Sequence, residues 1–206
     1  FSLLTHKYIS HPNPERASFQ PVSIFTNNIW EAPALARVVS FSSTFWLTMQ
    51  QERPERQVTF SSHSMSFKTL VEVGFWQANI VSEDSRIFWQ CYNFYNGNYE
   101  TVSLYAPVYM DAAVDSTFWK SMKALYKQQR RWAWGAENIP FLMWEFQKHP
   151  EISWGKKFIV LFHEWEGKWS WAVVALLITF LGRLPLWFAG DTIRQSALFF
   201  NTPHVL

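Results

Sequence analysis

Three short stretches hold the side chains that could do chemistry in this chain of 206 residues. Ser82-Glu83-Asp84 reads as the first turn of a helix, with Ser82 as N-cap and two carboxylates in the positive field of the helix dipole. Backbone N–H groups there have no partner inside the helix, so the ionised form of Asp84 is favoured, ready to take a proton from a hydroxyl within hydrogen-bond reach. Acids in a first turn are also ordinary helix stabilisers. The second stretch, Gln128-Gln129-Arg130-Arg131-Trp132, puts Gln128, Arg131 and Trp132 at i, i+3 and i+4, on one helix face. A guanidinium pairs with phosphate oxygens, an amide bonds hydroxyls and an indole stacks on a sugar ring, a set suited to a phosphorylated sugar. The same residues also fit a basic amphipathic helix whose Trp packs inward. In the third, Phe60-Ser61-Ser62-His63-Ser64-Met65, small polar residues at a strand end can line a pocket wall. His63 reads first as a hydrogen-bonded structural histidine and only second as a catalyst.

The elements that must position these groups follow from periodicity and punctuation. Residues 1–30 are polar, and the alternation of 21–25 predicts a short strand ended by Asn27-Asn28. Apolar residues at helical spacing predict a helix over 32–51, stopped by Arg53-Pro54. A strand at 58–60 leads into the His63 stretch, followed by a helix over 65–73 that Gly74 ends. The Ser82 helix runs to Tyr95 and is closed by Asn96-Gly97. A strand over 101–110 and a helix from Thr117 to about Asn138, capped by Asp115-Ser116, complete the pattern. Strands alternating with helices indicate an α/β or α+β layer.

Composition narrows the class. Aromatic residues make up 19% of the chain and include 13 Trp, more large amphipathic rings than a soluble core needs. A net charge of +2 without a continuous basic stripe excludes nucleic acid as the expected partner. Cys91 is the one cysteine, so no internal disulfide can form and no thiol pair marks a zinc site. Residues 139–168 interleave aromatics with Lys148, Lys156, Lys157 and Lys168, which predicts an amphipathic segment lying in a membrane interface. Residues 169–190, free of charge except for Arg183, predict a transmembrane helix interrupted near Pro185, with Trp169, Trp171 and Trp187 as interfacial anchors. Lysines before that helix, against Arg194 after it, place the bulk of the chain in the cytoplasm. The chain starts at Phe1 without a signal peptide and stops soon after an apolar run, and is expected to be a fragment.

Asp84 in a Ser-Glu-Asp turn, Gln128-x-x-Arg131-Trp132 some forty residues later, and then a Trp-rich stretch and an apolar helix resemble the C-terminal half of a membrane-integrated family 2 glycosyltransferase, the family of cellulose, chitin and hyaluronan synthases. The resemblance covers about residues 15–190. Phe19-Gln20-Pro21 with Asn27-Asn28 looks like the strand passing the donor site, and Phe60 to Phe67 with Val73-Gly74-Phe75 like the family's small-residue wall and the helix after it. It implies an α/β fold, the C-terminal half of a GT-A-type domain, over residues 1–138, then the interfacial segment 139–168 and the membrane helix and start of a next membrane segment over 169–206. It also implies an inverting transfer from a nucleotide-diphosphate sugar to a glycan or lipid-linked acceptor, in polysaccharide synthesis, in which Asp84 activates the acceptor hydroxyl. Glu83 falls on the substrate side of the same turn, and Gln128, Arg131 and Trp132 hold pyrophosphate and acceptor sugar. Ser82 stands where the family has Thr, which keeps the capping hydroxyl. The family's upstream Asp-x-Asp, holding a Mg²⁺ or Mn²⁺ ion and the nucleotide, has no counterpart among Asp84, Asp111, Asp115 and Asp191. The fragment alone is therefore expected to be inactive, with the donor half upstream. The rival class is a non-catalytic, membrane-anchored glycan-binding protein.

Overall fold

The computed structural model describes residues 1–182, 184 and 188. The chain divides into two units, Phe1–Leu161 and Phe162–Leu206. In the first unit a three-stranded sheet is built around β1 (Ala17–Phe25). β1 pairs antiparallel with the two-residue β2 (Ser64–Met65) and parallel with β3 (Glu100–Met110). Seven consecutive residues of β1, from Ala17 to Ser23, are buried, as a central strand covered on both faces requires. Pro21 cannot donate to a ladder, and it falls where the β1–β3 register shifts between Gln20 and Val22. Opposite it Tyr105 takes a left-handed φ of 53°, and the bulge is held by Gln51, whose side-chain oxygen accepts from the Tyr105 N–H at 3.1 Å.

Helices α1 (Ser2–Ser10), α2 (Ala34–Gln51), α3 (Phe67–Glu72), α4 (Glu83–Phe94), α5 (Phe118–Ala133) and α6 (Asn138–Lys148) surround the sheet. α4 is the hub of the largest core cluster. Its Ile87, Phe88, Trp89, Cys91 and Tyr92 pack with Tyr99, with Leu142 and Phe146 of α6, and with Ile152. Burial pushes the Cys91 thiol up to about 12, so it behaves as a small apolar side chain. A second cluster joins α2 to α5, where Leu125 of α5 packs with Ala36 of α2 and with Ala32 and Ala112 of the flanking segments. α4 ends as its Asn-Gly pair predicts: Asn96 and Gly97 take φ of 52° and 76°, and the Gly97 N–H donates to the Tyr92 carbonyl at 2.7 Å. A Cβ at Gly97 would meet Tyr92 Oη at 3.2 Å. Gly97→Ala is expected to cost about 1–2 kcal/mol, seen as a melting temperature lower by about 3–6 °C.

Several elements differ from the sequence expectation. α1 was not foreseen because none of its residues is fully buried; its Leu4 and Tyr8 lie against Phe19 and Leu104. No strand forms at 58–60, where side chains replace the ladder. The predicted helix to Asn138 stops at Ala133, and a 3-10 turn, Trp134–Glu137, leads into α6. Its cap is Thr117, whose hydroxyl accepts from the Lys120 N–H at 3.3 Å, while Asp115 accepts from the Ser116 N–H.

α7 (Trp154–Leu181) begins in the first unit, and in the second it carries Phe162, Trp165, Trp169 and Trp171 exposed, with Trp165 and Trp169 stacked at 6.0 Å. Among the described residues no helix is long and apolar enough to cross a membrane; of the span expected over 169–190, residues 183, 185–187 and 189–190 lie outside the described residues. Lys156, Lys157, Glu164, Glu166 and Lys168 lie on α7 ahead of Trp169. The charge-free run from Trp169 to Leu181 gives about 20 Å of helix against a hydrocarbon core of about 30 Å. Arg183, Pro185 and Trp187, with 189–190 and the flanking Arg194, lie outside the described residues, as does most of the expected next segment.

Candidate active site

The loop that reaches Asp84 is fastened by side chains. Gln20, fully buried in β1, accepts from the Phe60 N–H through Oε1 at 2.8 Å and donates through Nε2 to the Ser61 carbonyl at 3.2 Å. Thr59, also fully buried, donates its hydroxyl to the Asp84 carbonyl oxygen. Ser62 adopts a φ of 70°, and this left-handed turn brings the chain back so that both the N–H and the Nδ1 of His63 meet the Phe60 carbonyl, the latter at 2.8 Å.

Asp84 sits partly buried in the first turn of α4 and accepts from the Ser85 N–H at 2.8 Å. Burial raises its carboxyl above the ordinary range and outweighs the Ser85 bond; Glu83 pushes the same way, and His63 pulls it back. The sequence argument, which had the dipole and free N–H groups favouring the carboxylate, is thus corrected by desolvation. A base raised from the usual aspartate value lies closer to neutral pH, where proton transfer is better matched. Glu83 next to it is exposed. Ser82 makes no capping bond to the backbone; its hydroxyl donates to Glu137 Oε1 at 2.7 Å instead.

That bond belongs to a clamp that sequence reasoning missed. Arg86, 6% exposed, donates through Nε to Asn138 Oδ1 at 2.7 Å, through Nη1 to Gln77 Oε1 at 2.8 Å and through Nη2 to the Glu137 carbonyl at 3.3 Å. Its guanidinium lies 4.0 Å from the Phe141 ring centroid. Asn138, itself buried, donates to Ser85 Oγ at 3.0 Å. The first turn of α4 is therefore bolted to the residues that immediately follow the Gln128–Trp132 helix. The only sequence signal was a polar Arg and Asn inside otherwise apolar patterns.

Gln128 and Trp132, as the i, i+4 spacing predicted, share a face, and they line a shallow surface hollow, too narrow to admit a water molecule, with Phe25, Val39, Ser40, Ser43 and Ala113. Trp132 keeps 39% of its surface exposed, enough to present a ring face. Arg131 is exposed and pairs with no acid among the described residues. Asp84 does not line this hollow. Asn28 fixes its rim by a reciprocal pair with Ala112, accepting from the N–H at 2.7 Å and donating to the carbonyl at 3.2 Å, which ties the end of β1 to the end of β3. Among the described residues no group of three His, Cys, Asp or Glu side chains is placed to hold a metal ion.

The model of glycosyl transferase family group 2 matches residues 6–200 of the chain. No curated protein and no solved structure matches it.

Proposed function

The chain belongs to glycosyl transferase family group 2, and from that premise we propose that its first unit is the acceptor side of an inverting transferase using a nucleotide-diphosphate sugar. Asp84 takes the proton of the acceptor hydroxyl; the oxygen forms its bond to the anomeric carbon as the bond from that carbon to the diphosphate breaks on the opposite face. Arg131 stabilises charge on the departing diphosphate, Gln128 bonds acceptor hydroxyls, Trp132 stacks on the acceptor ring and Glu83 bonds substrate beside Asp84. The observation that carries this reading is the clamp of Arg86 and Asn138, which fixes the α4 turn carrying the part-buried Asp84 to the start of α6, one 3-10 turn beyond the Gln128–Trp132 helix.

The donor nucleotide and a Mg²⁺ or Mn²⁺ ion belong, in this reading, to an Asp-x-Asp outside these 206 residues. The residues described do not fit such an ion. Polysaccharide synthesis of the cellulose, chitin or hyaluronan type is the finer proposal. Attachment to a membrane surface, with the transferase side in the cytoplasm, goes with it, supported by the exposed Trp144, Trp154 and Phe158 among Lys148, Lys156 and Lys157.

The test is transfer of radiolabelled sugar by the full-length natural protein from a panel of nucleotide-diphosphate sugars. Trp132→Ala is expected to raise the acceptor KM about 5–30-fold, the loss of about 1–2 kcal/mol of ring stacking, with a smaller change in kcat. An unchanged acceptor KM removes the stacking role. Oligosaccharide binding without nucleotide release under any metal replaces the enzyme by a glycan-binding protein.

A further inference from the structure

The Asp84 carboxylate is tied to its own turn of helix, because its Oδ1 accepts from the Ser85 N–H at 2.8 Å. How far it reaches therefore follows from where the main chain at residue 84 is held. From the α6 side the turn is held through Ser82, Ser85 and Arg86. From the sheet side the Thr59 hydroxyl donates to the Asp84 main-chain carbonyl at 2.5 Å. Thr59 is fully buried, so no water competes for the one proton it can give, and branching at Cβ restricts the direction in which that proton points. Its own place is set by the residues on either side. Gln57, also buried, meets Ser103 Oγ of β3 at 3.0 Å through Oε1. The Phe60 N–H and the Ser61 carbonyl are both taken by the Gln20 side chain of β1, at 2.8 and 3.2 Å. Segment 57–61 is thus a strut from the two long strands to the α4 turn, and the Thr59 hydroxyl is its point of contact with residue 84.

We propose that Thr59 is a positioning residue for the base: its hydroxyl sets how far the residue 84 main chain stands from the sheet, and through it the reach of the Asp84 carboxylate toward the acceptor hydroxyl. The proposal rests on Asp84 being the base. The bond goes to a main-chain oxygen and carries no charge, so Thr59 acts on geometry. A base must lie within about 2.6–3.2 Å of the group it deprotonates, and a misplacement of about 1 Å costs on the order of 10²-fold. Donor and acceptor are held in the proposed site by Gln128, Arg131 and Trp132, none of which bonds Thr59, so the loss falls on kcat and leaves KM in place.

The test is made on the full-length protein, well below the melting temperature of each variant. Thr59→Val keeps the shape and removes the hydroxyl; it is expected to lower kcat about 10–100-fold, with both KM values within about twofold of wild type and the acid limb of the pH profile unmoved. Thr59→Ser, which restores the hydroxyl on a freer side chain, is expected to recover most of kcat. Thr59→Ala removes the same group with less bulk and carries the same expectation as Val should that variant not fold. The decisive arm is the double variant with Asp84→Asn: a residue that acts through the base has nothing left to position, so adding Thr59→Val is expected to cost less than about twofold more. An unchanged kcat, a loss that Ser does not recover, a shifted acid limb, or a further tenfold loss in the Asp84→Asn background each overturns the proposal. Asp84→Asn that alone keeps full transfer activity sinks the assignment of the base instead, so the two failures are distinguishable.

Discussion

Asp84→Asn is expected to lower the transfer rate of the full-length protein about 10²–10⁴-fold, the usual worth of a positioned general base, while raising the melting temperature at neutral pH. The two effects have one cause. Burial gives the folded Asp84 a higher pKa than the unfolded chain has, so its contribution to stability is complete below the unfolded value and is lost as pH rises through the folded one. At pH 7 the ionised carboxylate is a burden on the fold. Asparagine keeps an oxygen to accept from the Ser85 N–H at 2.8 Å and carries no charge into the partly desolvated turn. A residue held for chemistry at the expense of stability gives this pair of signs. The check is a transfer assay beside thermal unfolding at pH 5 and pH 8: the stability gain of the variant should be larger at pH 8. A variant with near wild-type activity, or one less stable at pH 8 than at pH 5 relative to wild type, removes Asp84 from the mechanism.

What could be read from the sequence was set by how local the signal is. α4 was legible because its start, its aromatic core face and its Asn96-Gly97 stop all lie within one short segment. β3 and α2 were legible for the same reason, and so was the shared face of Gln128 and Trp132. β1 was half missed: a strand buried on both faces shows no alternation, and Ser18, Gln20 and Ser23 look like loop residues until the strand on either side is known. Residues 58–60 looked like a strand, but Thr59 and Phe60 find their hydrogen bonds at Asp84 and at the Gln20 side chain. The apolar run after Trp169 and the charged stretch before it read as two segments in the sequence, whereas both lie on the one helix α7, because helical continuity across a change of composition leaves no local signal. The direction of the Asp84 shift was missed for a similar reason, since helix dipole and N–H groups are local and burial is not.

Arg86 carries the second large effect. Replacing it by Met is expected to destabilise the first unit by about 3 kcal/mol, with a melting temperature lower by about 6–12 °C. The loss comes less from the guanidinium than from what it leaves behind: Asn138 Oδ1 loses its donor in a buried place, and Gln77 Oε1 and the Glu137 carbonyl lose theirs in part-buried ones. Arg86→Lys should recover only part of this, because one ammonium on a flexible stem cannot reach three acceptors that the planar fork serves at once. The pair Arg86→Met and Asn138→Ala should be strongly non-additive in a double-mutant cycle, since each orphans the other, whereas Arg86→Met and Gly97→Ala should add. Activity gives the decisive comparison. Measured well below the melting temperature, where the variant is fully folded, Arg86→Met should still lose kcat, because Ser82, Ser85 and Asp84 are no longer fixed against Glu137 and Asn138. A variant that loses its 3 kcal/mol but keeps kcat would make the clamp a matter of folding alone and would leave the geometry of the base to the Thr59 and Gln20 side of the site.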